Sequence, residues 1–280
     1  MSSMSLTRAG RRPSRPAGPQ AAARRRSWAG LALLWFERLV FAAAILGLWQ
    51  LFYHEKWINP ALASSPVQVY HYLVDSTRDG SLWRNTGVTL EATLVAFVLA
   101  SAVGILVGFG LALFPHVDRI LEPFINAFNA LPRTALAPIT IIYFGLGMTA
   151  KVTLAFSVVV FMLLLSTRAG VKGVDRDILE YSRTIGIGRI AIIRKILFPV
   201  AIPSIFAGLR LGLVYSLLGV VTSEIVASTS GLGNLVESFS NTYNFAGVYG
   251  ILLVLAVVAT ILNGCLSYVE KRLLRWAPHV

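Results

Sequence analysis

An all-α membrane protein with about six transmembrane helices is the fold class predicted by this sequence, on three observations. Hydrophobic residues make up 56% of the 280 residues and charged residues only 14%, with a mean hydropathy of +0.69. A soluble domain carries about a quarter of its residues charged. The apolar residues gather in stretches of roughly 18 to 28, enough to cross a hydrocarbon core about 30 Å thick, and the charges fall mostly between them.

The first span is expected around Leu34–Phe52, inside a unit of residues 28–84 that also holds an external segment. In that segment Ser65-Pro66 marks the start of a short amphipathic helix through Val69, Tyr70 and Leu73. The second span is read at Val88–Phe114, with Gly104, Gly108 and Gly110 allowing close helix packing in lipid. A third apolar stretch, Ile120–Gly147, contains Pro132 and Pro138, each of which removes a backbone donor. A discontinuous helix and a kinked one both fit it, and freed carbonyls at that depth need protein or a water-filled cavity. Spans four to six are read at Lys151–Ser166, Ala201–Ile225 and Val248–Tyr268.

The net charge of +12 is distributed as membrane topology requires. Seven arginines precede residue 27, seven basic residues lie between Arg168 and Lys195, and Lys271, Arg272 and Arg275 close the chain. With six spans and both termini in the cytoplasm, 18 Lys and Arg fall inside and four outside, the bias that sets orientation. Residues 1–27 read as a disordered basic tail lying against anionic lipid rather than a nucleic-acid arm. No signal peptide is seen, since Glu37 and Arg38 interrupt the first apolar run. Cys265 is the only cysteine and the four histidines are scattered, so no metal site, cofactor or membrane-embedded catalytic cluster is expected.

The most informative segment is Asp175–Pro199. Ile178, Leu179, Ser182 and Ile185 share one helical face, with Glu180 and Arg183 displaced from it. Gly186 and Gly188 break that helix. An amphipathic stretch follows, with Ile190, Ile193 and Leu197 on one side, and Pro199 is expected to end it. A short helix, a glycine hinge and an interfacial helix form a lever that could dock in a partner's groove.

This segment resembles the EAA motif of binding-protein-dependent ABC importer permeases. Glu180, Gly186, Ile196 and Pro199 stand at the motif's spacings, while Tyr181 and Ser182 replace its two alanines and Phe198 its usual leucine. The resemblance extends over a core of residues 85–275. Asn129–Pro138, Tyr143–Gly147 and Ser230–Gly233 look like the nitrate/sulfonate/taurine/bicarbonate branch. It implies the type I ABC importer permease (MetI-like) fold in the bacterial inner membrane, with a coupling helix at about 174–188. There Ile178, Leu179, Glu180, Tyr181, Ser182, Gly186 and Pro199 would meet or shape the contact with an ABC ATP-binding subunit, expected in two copies. It also implies a periplasmic or lipid-anchored solute-binding protein and a second permease copy. The implied solute is a small anion such as a sulfonate, nitrate or bicarbonate. A neutral vitamin precursor or pyrimidine, and a secondary carrier, remain the alternatives.

No nucleotide site of the Walker type occurs, because the Ser230–Gly233 run lacks the lysine that would follow, so the chain is not itself an ATPase. Ionisable groups inside spans are costly and mark function. Asn129, Pro132, Arg133, Arg210 and Glu224 are the candidate translocation-path residues. Arg133 follows the Pro132 break, where it would meet an anion or serve as a snorkelling cation. Arg210 and Glu224 are expected to belong to an internal packing or gating network.

Overall fold

In the computed structural model, residues 28–55, 57 and 64–273 are described, and all regular structure among them is helical. The expected tail at 1–27 lies outside the described residues. Two compact units divide the chain within its first helix, between Leu48 and Trp49. That helix, α1, covers Trp28–His54 and presents apolar residues around its circumference, as a span in lipid does.

The second unit begins with α2, Pro66–Arg78, and its start is set by a capping box. Ser65 Oγ accepts from the Gln68 N–H at 3.3 Å, and Gln68 Oε1 accepts from the Ser65 N–H at 3.2 Å. The spanning helices are α3 (Ser81–Leu113), α6 (Met148–Lys172), α9 (Phe198–Val226) and α11 (Phe245–Leu273). Between α3 and α6 lie α4 (Pro115–Ala130), a 3₁₀ turn (Arg133–Leu136) and α5 (Ala137–Phe144).

The core is the contact of α6 with both α3 and α9, and small residues set its spacing. A methyl on Gly104 would lie 2.7 Å from Leu163 Cβ, and one on Gly108 would lie 2.5 Å from the Leu164 carbonyl oxygen. Gly110, expected to share this role, has nothing within 4 Å. It points away from the seam because it follows Gly108 by only two residues, about 200° around the helix.

The pairing of Gly104 with Leu163 and Gly108 with Leu164 makes α3 and α6 parallel. Gly208 against Ser166 and Gly219 against Ala155 make α9 antiparallel to them. Residues 120–147 must therefore return the chain across the membrane. They do so as a discontinuous element, broken at Leu131 and Pro132 where the backbone turns extended. Among the described residues five helices are long and apolar enough to cross by themselves, and this broken segment makes the sixth passage.

Two expectations about the α6–α9 connection need correction. Pro199 does not end an interfacial helix: α8 (Arg189–Ile192), a π turn (Ile193–Leu197) and α9 form one helical run of 38 residues, Arg189–Val226. The wider turn takes up the distortion near Pro199, with the Phe198 N–H bonding the Ile193 carbonyl five residues back. Ile190 is 73% exposed and does not share the inward face of Ile192 and Leu197. The stretch between the fifth and sixth expected spans also contains a helix, α10 (Leu232–Asn241).

Candidate functional site

Three sites occupy different levels of the bundle. At the α6–α9 connection, helix α7 covers Arg176–Thr184, started by Asp175 Oδ1, which accepts from the Asp177 N–H at 2.9 Å. It stops in a Schellman motif: the Ile187 N–H bonds the Ser182 carbonyl and the Gly186 N–H bonds that of Arg183, both at 3.0 Å. Gly186 takes φ +81°, open to glycine at little cost. The predicted α7 face splits in two. Ser182 is buried and Leu179 packs on the core, while Ile178, Tyr181 and Ile185 are exposed at 50%, 67% and 55%. Those three lie at i, i+3 and i+7 and form an apolar stripe, with Glu180 exposed beside it.

Beneath α7, Asp118 at the start of α4 is buried and holds the ends of α4 and α6 together. Its carboxylate accepts from Arg168 Nη2 at 2.9 Å and pairs with Arg168 Nε at 2.6 Å and Lys172 Nζ at 2.5 Å. Arg168 also reaches Glu122 at 3.0 Å. Burial pushes the Asp118 carboxyl up, but Lys172 and Arg168 together outweigh it and hold it below the usual range.

At the opposite end of α6 and α9, Glu224 is fully buried and does not meet Arg210. The two are 14 residues apart on one helix, about 21 Å along its axis. Glu224 instead pairs with Lys151 Nζ at 3.0 Å and accepts from the Thr89 hydroxyl and the Gly233 N–H, each at 2.9 Å. Lys151 Nζ also donates to the Ser230 carbonyl at 2.6 Å. The Asn85 side chain accepts from the Gly231 N–H at 2.8 Å, and Thr89 Oγ1 from the Leu232 N–H at 2.9 Å. α3, α6, α9 and the Ser228–Gly233 turn thus share one polar node. Lys151, which opens the fourth expected span, is 2% exposed. Topology could have found the pair: the fourth span begins, and the fifth ends, on the same face of the membrane. Arg210 pairs with Glu270 of α11.

Between these ends, Asn129, Arg133, Ser166 and Tyr215 are the polar lining of a cavity of about 410 Å³. Arg133 donates to the Phe128 carbonyl and lies over the Phe161 ring, 4.6 Å from its centroid. Pro132 sits at the break just before it, in extended backbone. Arg210 and Glu224 do not line this cavity.

A family model described as the binding-protein-dependent transport system inner membrane component matches residues 81–275. The chain belongs to that family. Among curated relatives of this permease, the taurine transport system permease protein TauC of Escherichia coli (strain K12) is 30% identical over 85% of this chain and 88% of its own length. A putative aliphatic sulfonates transport permease protein SsuC of Bacillus subtilis (strain 168) is 26% identical, covering 86% and 88%. The riboflavin transport system permease protein RibX of Chloroflexus aurantiacus is 29% identical, covering 76% and 79%. The MetNI methionine ABC transporter, in an inward-facing conformation, aligns with a TM-score of 0.61 at 20% identity, over 71% of this chain and 97% of that one. The permease therefore has the MetI-type fold expected from its sequence.

Proposed function

We propose that this permease forms half of a solute path, carries a small organic anion, and is driven by a separate ATP-binding subunit that docks on α7. The observation that carries the coupling is the exposed Ile178–Tyr181–Ile185 stripe on a helix fixed at both ends by its caps. An apolar stripe outside the spanning bundle has no lipid to cover it, and a groove in a partner would. Glu180 flanks the stripe as a polar contact. Gly186 sets the turn, and Pro199 lies in the helical run that carries any displacement of α7 into α9. Two ATP-binding subunits would each hold one α7, on two permease copies with both termini in the cytoplasm. A solute-binding protein outside would favour the accepting state through its differential contacts with the two states.

The taurine and sulfonate relatives, together with Arg133 and Asn129 at one cavity, support an anion as the solute. A sulfonate would take hydrogen bonds from the guanidinium. The riboflavin relative favours a second reading, a neutral vitamin-type solute.

The test is uptake of labelled taurine and riboflavin into cells bearing the complete transporter. ATP-dependent taurine uptake that persists without a proton gradient supports the proposal, and riboflavin uptake alone replaces the solute. Gly186→Val should abolish both recruitment of the ATPase and uptake. Unchanged recruitment would overturn the role given to α7.

A further inference from the structure

We propose that the cavity between α7 and the bundle binds the phosphate-bearing headgroup of an anionic phospholipid. It has a volume of about 810 Å³ and lies where α3 and α6 end and α8 begins. The stripe of α7 that lines it, Arg176, Leu179 and Arg183, is offset by two residues from Ile178, Tyr181 and Ile185. At 100° per residue the two stripes are about 200° apart, so a partner seated on one leaves the other free.

Charge bookkeeping leaves this cavity cationic. Its two lining carboxylates, Asp118 and Glu122, are matched by Arg168 and Lys172. Arg119, Arg176, Arg183 and Arg189 also line it, and none of the four has an ion pair among the described residues. Arg189 lies over the Phe114 ring, 5.8 Å from its centroid, which anchors it at the α3–α4 corner. Asp175, Asp177 and Glu180 stand on the same segment but do not line the cavity.

The floor is a different chemistry. Leu113, Val171, Ile192 and Leu197 supply an apolar surface that a free phosphate would not cover. Guanidinium groups over an apolar floor, beside the ends of spanning helices, match a molecule with a phosphodiester head and a hydrocarbon body. Arginine forks pair with phosphate oxygens in two parallel bonds, and basic pockets at this depth are a known class of lipid-headgroup site.

The experiment titrates the purified full-length chain, in neutral detergent, with mixed micelles of phosphatidylglycerol or phosphatidylcholine, and separately with inorganic phosphate, reading thermal stability and lipid retained by native mass spectrometry. Phosphatidylglycerol should raise the melting midpoint where phosphatidylcholine and phosphate do not. The Arg176→Gln/Arg183→Gln variant should need roughly 25-fold more of it, about 2 kcal/mol at about 1 for each arginine. The basic tail is present in both proteins, so its own lipid attraction cancels. Arg119→Gln, on a different helix, repeats the test if the double variant does not fold. Equal responses to the two lipids, or an unchanged titration in the variants, would overturn the site. A phosphate response matching that of phosphatidylglycerol would overturn the lipid assignment.

Discussion

Replacing Lys151 with Met should be among the most damaging single changes in this permease, and its size follows from the node it empties. The ammonium has two partners, Glu224 at 3.0 Å and the Ser230 carbonyl at 2.6 Å, and is 2% exposed. Removing it leaves the Glu224 carboxylate fully buried with only the Thr89 hydroxyl and the Gly233 N–H. Removing one member of a buried pair costs about 3–5 kcal/mol, because the survivor remains uncompensated. For a chain of this size that is a fall of about 6–20 °C in melting temperature. The decisive comparison adds Glu224→Gln, which removes the stranded charge while keeping an acceptor for Gly233. Lys151→Met/Glu224→Gln should recover about half of the loss, about 2 kcal/mol relative to Lys151→Met alone. Thermal unfolding of the detergent-purified proteins, followed by tryptophan fluorescence, measures each variant against the parent. A single variant melting within about 2 °C of the parent would refute the argument, as would a double variant no more stable than the single.

Other predictions follow from the same contacts. Gly231→Ala places a methyl 2.0 Å from Glu224 Oε1 at φ +109°, and should cost about 3 kcal/mol or more, read as lost thermal stability. Gly110→Ala, with nothing within 4 Å, should instead gain about 0.5–1 kcal/mol in the same assay. Because Asp118 is held below its unfolded value, its contribution is present above the unfolded carboxylate range and lost as pH falls through the folded one. The melting temperature should therefore drop below about pH 4, and Asp118→Asn should flatten that part of the profile. Tyr181→Asp, on a side chain 67% exposed, should leave thermal stability within about 0.5 kcal/mol and lower ATPase capture more than tenfold.

Much of the scaffold was legible because hydropathy and local capping act over short sequence distances. The long spans, the Ser65–Gln68 cap and the Gly186 stop are all written in a few neighbouring residues. The third stretch was legible only as two alternatives, because a proline fixes where a helix is disturbed but not whether it resumes in line. At Pro199 the same ambiguity resolved the other way, since the π turn at 193–197 absorbs the missing donor and the helix continues. The least legible feature was the partner of Glu224. Arg210 lies 14 residues along the same helix with a half-exposed side chain, out of reach, and the true partner is 73 residues away in sequence. The α7 face split for a related reason: 3.6-residue periodicity groups residues by direction but does not say which direction the bundle takes.

That separation of 73 residues bears on how the chain is made. Lys151 opens α6 and Glu224 closes α9, so during insertion the lysine must wait while the whole intervening segment is synthesised and threaded. Until then each charge can stay only near a wet surface, because neither can sink alone into hydrocarbon. Their closure, together with the seating of the Ser228–Gly233 turn, can occur only in a chain whose fifth crossing is complete. The node is thus a record of a completed fifth crossing: in a chain stalled before α9, Lys151 is held unmatched at the wet surface, whereas the mature permease buries it.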